Sequence, residues 1–199
     1  MRMRGRGFGL IVLLALVAGC AAPLLRPDAA TLQVHEQRER AIAAQPAWGL
    51  NGRLAVAGPD EGGSGSLTWT QDGANYRFSL NAPVTGKTWI LSGDAQRVQL
   101  DGLRPQAVLG TDAATLLERE LGWQVPVSEL AAWVRGVRAP GRADLLFRAD
   151  GLPAELVQAG WKVQYLDYDL SQEPPLPRRI FASRGEYKVR LVVQRWNRQ

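Results

Sequence analysis

The chain has 199 residues and a formal net charge of +5 at pH 7, with one histidine and one cysteine. This composition excludes a metal site built from several His and Cys ligands, and it excludes catalysis by a Cys–His pair. Three of the arginines lie in the first 19 residues, so residues 20–199 are close to neutral and no nucleic-acid partner is indicated.

The N-terminus resembles a bacterial export signal. Arg2, Arg4 and Arg6 precede an apolar run that ends at small residues, and this run is shorter than the roughly 20 residues of a membrane span. Val17-Ala18-Gly19-Cys20 resembles a lipobox, in which the cysteine sulfur is acylated and the chain is cut before it. We therefore expect a lipoprotein signal peptide at 1–19, with Cys20 as the lipid anchor. The alternative is that Cys20 is an ordinary small apolar residue.

Residues 20–46 are predicted to form a lipidated N-terminus, a tether and a helix. Leu24 to Pro27 is a short tether, and the composition from Ala29 to Ala44 favours a helix capped by Asp28. His35 falls in this charged stretch, so we expect it to be a solvated surface residue.

From Trp48 onward, apolar and polar residues alternate, which is typical of antiparallel strands with one buried face. Glycine and proline turns separate the alternating runs, giving about eleven strand candidates. They are the stretch from Trp48 to Val56, Leu67–Thr70, Tyr76–Asn81, Trp89–Ser92, Arg97–Leu100, Gln106–Leu109, Asp144–Ala149, Ala154–Gln158, Gly160–Tyr168, Arg178–Ser183 and Glu186–Trp196.

Two short helices interrupt the strands, at Asp112–Leu121 and Val127–Val134. Eleven antiparallel strands in so small a domain should curl strongly, and the inserted helices would cover the concave side. The predicted fold is mostly β: a curled antiparallel half-barrel with a helical lid over residues 47–199. Its aromatic and aliphatic inner face either fills a core or lines an apolar cavity, and periodicity does not separate these two outcomes.

Several spaced segments, in this order, resemble the LolB family. They are Leu50-Asn51-Gly52-Arg53, Asn81-Ala82-Pro83-Val84-Thr85-Gly86, Pro126 with Leu130, Trp133 and Gly136, Gly160-Trp161-Lys162-Val163-Gln164-Tyr165, Leu176-Pro177 and a closing strand that ends in Trp196. The resemblance covers about Trp48 to Trp196. It implies an open β half-barrel with a helical lid, anchored to the outer membrane and facing the periplasm.

The resemblance also implies a function and partners. The protein would accept lipoproteins from the periplasmic carrier LolA, hold their acyl chains in the apolar cavity and insert them into the outer-membrane lipid. Acyl chains leave water for any apolar surface, so no cofactor, metal or covalent step is needed, and the protein is not expected to be an enzyme. A monomer is expected.

The resemblance points to two groups of site residues. The membrane-insertion loop is Pro83, Val84, Thr85 and Gly86, with Val84 at the position of an exposed apolar residue in the family. The candidates for the acyl-chain cavity share alternating strand faces, aromatic positions of the family or the apolar side of a lid helix. They are Leu54, Val56, Trp69, Phe78, Leu80, Trp89, Leu91, Leu116, Trp133, Trp161 and Trp196.

Two other classes of function stay open. A hydrolase could use the paired carboxylates of Asp167 and Asp169, or of Glu118 and Glu120. A structural outer-membrane lipoprotein could bind a protein or glycan partner through its sheet edge. Within the carrier interpretation, Arg135, Arg138, Arg142, Arg178 and Arg179 are candidates for steering an acidic carrier.

Overall fold

A computed structural model describes residues 24–82 and 86–198 of the chain. The elements in chain order are α1 (Ala29–Ala43), β1 (Ala47–Ala57), β2 (Gly62–Asp72), β3 (Asn75–Ala82), β4 (Lys87–Gly93), β5 (Val98–Asp101), β6 (Val108–Gly110), α2 (Ala113–Leu121), α3 (Val127–Trp133), β7 (Ala143–Phe147), β8 (Pro153–Gln158), β9 (Trp161–Asp169), β10 (Leu176–Arg184) and β11 (Tyr187–Arg198). Among these described residues, none of the helices has the length and apolarity needed to cross a membrane.

All eleven strands form one antiparallel sheet in the order β6-β5-β4-β3-β2-β1-β11-β10-β9-β8-β7. Each strand pairs with its neighbour in sequence except at the centre, where β1 pairs with β11. The sheet stays open, because β6 and β7 form its two edges. A register shift at Asn51 and Gly52 on β1 marks a bulge, and bulges increase the local twist. The predicted open half-barrel of eleven strands is confirmed.

The sheet has an inner face, on which α2 and α3 pack, and an outer face toward solvent. Apolar residues alternate along the strands and join the helices in one buried cluster, which includes Leu50, Trp69, Leu156 and Val163. The two-residue period of the sequence therefore corresponds to the inner and outer faces, as the alternation predicts.

Both capped helices begin where the sequence predicts. The Asp28 carboxylate accepts a hydrogen bond from the Thr31 amide at 2.8 Å, and Asp112 accepts one from the Thr115 amide at 2.7 Å. Gly122 ends α2 with φ of 66°, a left-handed conformation that glycine adopts without strain. These local signals fix the two helix starts independently of the rest of the fold.

The structure corrects one expectation about α1: His35 is buried, with 2% of its surface exposed. Its ring packs edge-on against Phe147 with centroids 5.3 Å apart, and its Nε2 lies 3.1 Å from Glu39 Oε1. Burial occurs because α1 docks on the sheet, which the composition of an isolated helix does not reveal. The neighbouring Leu25 forms a backbone bridge with Phe147, so the tether is attached to the edge strand β7.

Partly buried arginines hold α1 in place. The Arg38 guanidinium donates to the carbonyl oxygens of Gly136, Arg135 and Pro175 at 2.6 to 2.8 Å. Arg138 forms a bidentate pair with Glu39. Arg135 donates to the carbonyls of Ile42 and Gln45, and burial together with the nearby Arg38 charge lowers its pKa to about 10.

Candidate functional site

An apolar cavity of about 80 Å³ lies between the inner face of the sheet and the helical segment. Its lining contains only aliphatic and aromatic side chains, so the cavity suits hydrocarbon rather than a polar ligand. From the sheet the lining residues are Leu54, Val56, Leu67, Trp69, Phe78, Leu80, Trp89, Leu91, Leu100, Ile180, Ala182, Val189 and Leu191; from the helical segment they are Leu117, Leu121, Trp123, Val125, Val127, Leu130 and Val134.

A pair of tryptophans joins the sheet to the helical segment at one side of the cavity. Trp89 of β4 meets Trp123 edge-on, with ring centroids 5.4 Å apart. Trp123 also lies directly against the backbone of β2, because a Cβ at Gly63 would be 2.7 Å from its ring atom Cζ2. The glycine at this position therefore lets the segment after α2 approach the sheet.

Polar contacts attach the two lid helices unequally. Buried Gln158 of β8 accepts hydrogen bonds from the Trp133 indole and the Ala139 amide, both at 2.9 Å, and donates to the Ala139 carbonyl at 2.7 Å. Three bonds from one buried amide hold α3 and the following loop to the sheet.

Among the described residues, single pairs with exposed arginines attach the α2 side. Arg104 pairs with Glu120 at 2.6 Å, and Arg184 donates to Gln124 at 2.8 Å in the connection between the helices. The Glu120 side chain is 5% exposed, but that of Arg104 is 63% exposed, so water competes for this pair more than for the buried bonds of Gln158. The α2 side of the cavity is therefore the more easily displaced.

Seven of the eleven predicted cavity residues line the cavity: Leu54, Val56, Trp69, Phe78, Leu80, Trp89 and Leu91. All seven come from the alternating positions of β1 to β4. Because these strands face the lid across the open space, their inward side chains reach the cavity.

The other four predicted positions need correction, since Leu116, Trp133, Trp161 and Trp196 are not among the lining residues. Leu116 packs over Gly110 on the far side of α2. Trp133, the last residue of α3, lies beside Trp161, with ring centroids 6.4 Å apart. The Trp196 indole donates to the Pro177 carbonyl at 3.1 Å. All four side chains are buried, in contacts outside this cavity.

The sequence interpretation missed the helical lining and the β10–β11 wall of the cavity. Trp123, Val125 and Val127 line the cavity, although they follow the glycine that ends α2. Their two-residue spacing was the available signal, because an extended segment puts alternate residues on one side. Val189 and Leu191 belong to a strongly alternating strand, but the curl that brings them to the cavity is not visible in one strand.

Cys20, Pro83, Val84 and Thr85 lie outside the described residues. Gly86, the last residue of the predicted loop, is exposed with φ of 65°, and nothing lies within 4 Å of the position of a Cβ. The flanking strands are paired up to Ala82 and Lys87, so the predicted loop connects two adjacent strands of the sheet.

The carboxylate pairs considered for hydrolysis lie away from the cavity lining. Glu120 pairs with Arg104 and Arg119, while Glu118 accepts from Gln124. A hydrogen bond from Ser171 lowers the pKa of Asp169, whereas a general acid needs a raised one. Arg135 and Arg138, considered for steering, donate inside the protein.

The chain is similar to known outer-membrane proteins over nearly its whole length. Residues 46–196 match a family model described as outer membrane lipoprotein LolB. A protein named outer-membrane lipoprotein LolB from Xylella fastidiosa is 36% identical, covering 98% of this chain and 94% of its own. Proteins of the same name from Xanthomonas campestris and Xanthomonas axonopodis are 37% and 39% identical, over 89% and 82% of this chain and 85% and 78% of their own.

Solved structures share the fold at low sequence identity. A LolA-superfamily protein from Nitrosomonas europaea aligns with a TM-score of 0.54 and 13% identity, covering 85% of this chain and 93% of its own. A DUF1329-family protein from Desulfovibrio piger aligns with a TM-score of 0.53 and 8% identity, covering 87% of this chain and 94% of its own. At such identities the likeness concerns the fold alone.

Proposed function

The chain belongs to the LolB family of outer-membrane lipoproteins, and we propose that it accepts lipoproteins from the carrier LolA and inserts them into the outer membrane. Acylated Cys20 holds it at that membrane, facing the periplasm, after removal of residues 1–19. Residues 20–46 form the anchor, tether and helix, and 47–199 form the lipoprotein-binding half-barrel. The protein acts as a monomer with no cofactor.

The observation that carries this proposal is the fully apolar cavity between the sheet and the lid. Burying an acyl chain contributes about 0.8 kcal/mol for each CH₂, so such a surface binds lipid without any specific polar contact. Transfer then needs only a succession of apolar environments, from the carrier to this cavity and on to the bilayer. None of these steps makes or breaks a covalent bond.

The cavity must grow to hold an acyl chain. Its volume of about 80 Å³ is smaller than the roughly 150 Å³ that holds a benzene-sized molecule. Because α3 is held by buried Gln158 and α2 by single pairs with exposed arginines, the growth occurs by outward movement of α2 and the segment around Trp123. The Trp89–Trp123 contact opens in that movement.

A substitution that fills the cavity tests the binding site. In Ala182→Leu, the added carbon atoms occupy space that about two methylenes of a ligand would use, so affinity for an acyl probe should fall about tenfold. Ala55→Leu makes the same change on the outer face and should leave affinity unchanged. Binding is measured by displacement of a fluorescent fatty acid. Equal affinity of the two variants would contradict the assignment of the cavity.

A second experiment tests the proposed insertion loop of Pro83, Val84, Thr85 and Gly86. Val84→Glu puts a charge where an apolar side chain is proposed to enter lipid, so release of lipoprotein into liposomes should fall about tenfold while acceptance from loaded LolA persists. Ala95→Glu, in the exposed turn between β4 and β5, is the matched control. Normal delivery by Val84→Glu would exclude this role for Val84.

The transfer assay also separates the proposal from the structural alternative. A lipoprotein that only binds protein or glycan partners through its sheet edge would take up no cargo from loaded LolA. The assay is run with and without liposomes, and cargo should stay on this protein until liposomes are added. Failure to take up cargo would overturn the proposed function.

A further inference from the structure

The three central strands of the sheet carry charges of one sign. β1, β11 and β10 are adjacent, and their sequences contain no aspartate or glutamate. Five of their exposed basic residues alternate with the apolar residues that face the cavity, so these five project from the outer face. We call them the basic face: Arg53, Arg179, Lys188, Arg190 and Arg195. Arg184 of β10 lies on the lid side instead, with its guanidinium over the Trp161 ring.

The residues of the basic face adjoin one another across the strands. Arg53 and Arg179 are both register partners of Val192, one from each side of β11. Arg190 is the partner of Phe181 in β10. None of the five basic side chains forms an ion pair with another described residue, so their charges are free for an external partner.

Apolar groups lie among these charges. Val192 is 44% exposed, and the Arg190 guanidinium lies 5.3 Å from the centre of the half-buried Phe181 ring. Long basic side chains around small apolar patches suit a lipid headgroup layer, where the charges contact phosphates and the carbon stems contact the layer below.

The opposite side of the molecule is less basic. The lid helices α2 and α3 contain Glu118, Glu120 and Glu129, with Arg119 as their one basic residue. Arg104 pairs with Glu120, and Arg184 bonds to Gln124 between the helices, so the lid is close to neutral and an anionic surface attracts the basic face more strongly.

The position of the tether fits this orientation. Leu25 is fixed to Phe147 at the sheet edge, and four residues separate it from Cys20, so the five Cα–Cα steps span at most about 18 Å. β7 is three strands from β10, or about 15 Å along the sheet. An anchor attached there lies within reach of a bilayer that contacts the outer face.

We propose that the basic face docks this protein on the anionic phospholipid surface of the membrane that holds its anchor. This proposal rests on one part of the proposed function, the acylated Cys20. Docking turns the lid and its cavity toward the aqueous phase, from which a soluble carrier arrives. Docking therefore fixes how the anchored protein is oriented on the membrane. Binding of cargo does not require this orientation.

Site-specific quenching tests the docking without carrier or cargo. Full-length acylated protein is placed in vesicles of phosphatidylcholine with or without phosphatidylglycerol, both containing a headgroup nitroxide lipid. A fluorophore is attached at Ser66→Cys, beside Arg53 on the outer face, or at Ser128→Cys on α3. We expect quenching at residue 66 only, only with phosphatidylglycerol, and its loss at high salt.

Charge reversal provides the matched variants. Arg53→Glu with Arg190→Glu should reduce quenching at residue 66 to the level at residue 128, whereas Arg97→Glu with Arg142→Glu, at exposed sites off the basic face, should leave it unchanged. Equal quenching at 66 and 128 in anionic vesicles overturns the proposal. The proposal is also overturned if the basic-face variant keeps its quenching at residue 66 but accepts cargo from LolA more slowly, since the basic face would then bind the carrier.

A separate measurement shows whether the lipid anchor at Cys20 is present. An acylated Cys20 takes up no dye, so labelling of the parent chain would show that the anchor is absent. The unanchored chain is then sedimented with the same vesicles. Salt-sensitive binding to anionic vesicles supports the basic face, and no binding overturns it.

Discussion

Individual indole N–H groups differ sharply in their environment. The Trp133 Nε1 donates to Gln158, whereas Trp89 Nε1 and Trp161 Nε1 are buried without a hydrogen-bond partner among the described residues. A buried unpaired donor costs about 1 to 3 kcal/mol. Trp89 lines the cavity on β4, so this cost falls beside the contact with Trp123 that is proposed to open.

The same substitution should therefore have unequal effects at two positions. Trp89→Phe and Trp133→Phe remove similar volumes, but only Trp133→Phe breaks a buried hydrogen bond and leaves Gln158 under-satisfied. We expect Trp133→Phe to lower the free energy of unfolding by about 1 to 2 kcal/mol more than Trp89→Phe, measured by urea unfolding. Equal destabilisation would show that volume alone determines the cost at both sites.

At the scale of elements, α1 depends on one carboxylate for much of its attachment. Burial by itself would raise the pKa of Glu39, but hydrogen bonds from Arg138 and His35 hold it well below its ordinary value of 4.5. A depressed pKa in the folded state means that the ionised pair stabilises folding above about pH 4.5, and that this stabilisation declines as the pH falls below it.

The pH dependence of α1 docking can be measured with one variant. Glu39→Gln should lower the free energy of unfolding by about 2 kcal/mol near neutral pH, and by less near pH 3.5, because the unfolded parent chain then gains a proton at Glu39 while the folded pair stays ionised. Glu36→Gln, exposed on the same helix, should have little effect at either pH. A pH-independent difference between parent and Glu39→Gln would exclude this linkage.

The unequal attachment of α2 and α3 has a consequence for the whole molecule. If the cavity grows by displacement of α2, an acyl ligand should open the α2 side while leaving the sheet intact. We expect saturating acyl probe to increase amide hydrogen exchange in Ala113–Leu121 and around Trp123, with β1, β11 and α3 unchanged.

A control variant shows whether the change in hydrogen exchange is caused by ligand in the cavity. Ala182→Leu, with its filled cavity, should show no ligand-induced change at the same probe concentration. Faster exchange in α3 rather than α2 would show that the lid opens from the side held by Gln158, contrary to the attachments described. Slower exchange throughout would show that the ligand binds without lid movement.

Much of this architecture could be predicted because its signals are local. Alternation from Trp48 to Trp196 indicates strands and gives the residues of each strand that share a face, while Asp28, Asp112 and Gly122 mark helix ends through hydrogen bonds to nearby backbone. The spaced segments around Asn51, Gly160 and Trp196 then indicated the family.

Contacts distant in sequence were decided by tertiary structure. His35 is buried because α1 meets β7, more than a hundred residues away in the chain. Trp161 has the same inward position on β9 as Trp69 has on β2, yet only Trp69 reaches the cavity, because Trp161 packs beside Trp133 of α3. A two-residue period places a side chain on one face of the sheet, but the curl and the lid determine which part of that face stays open.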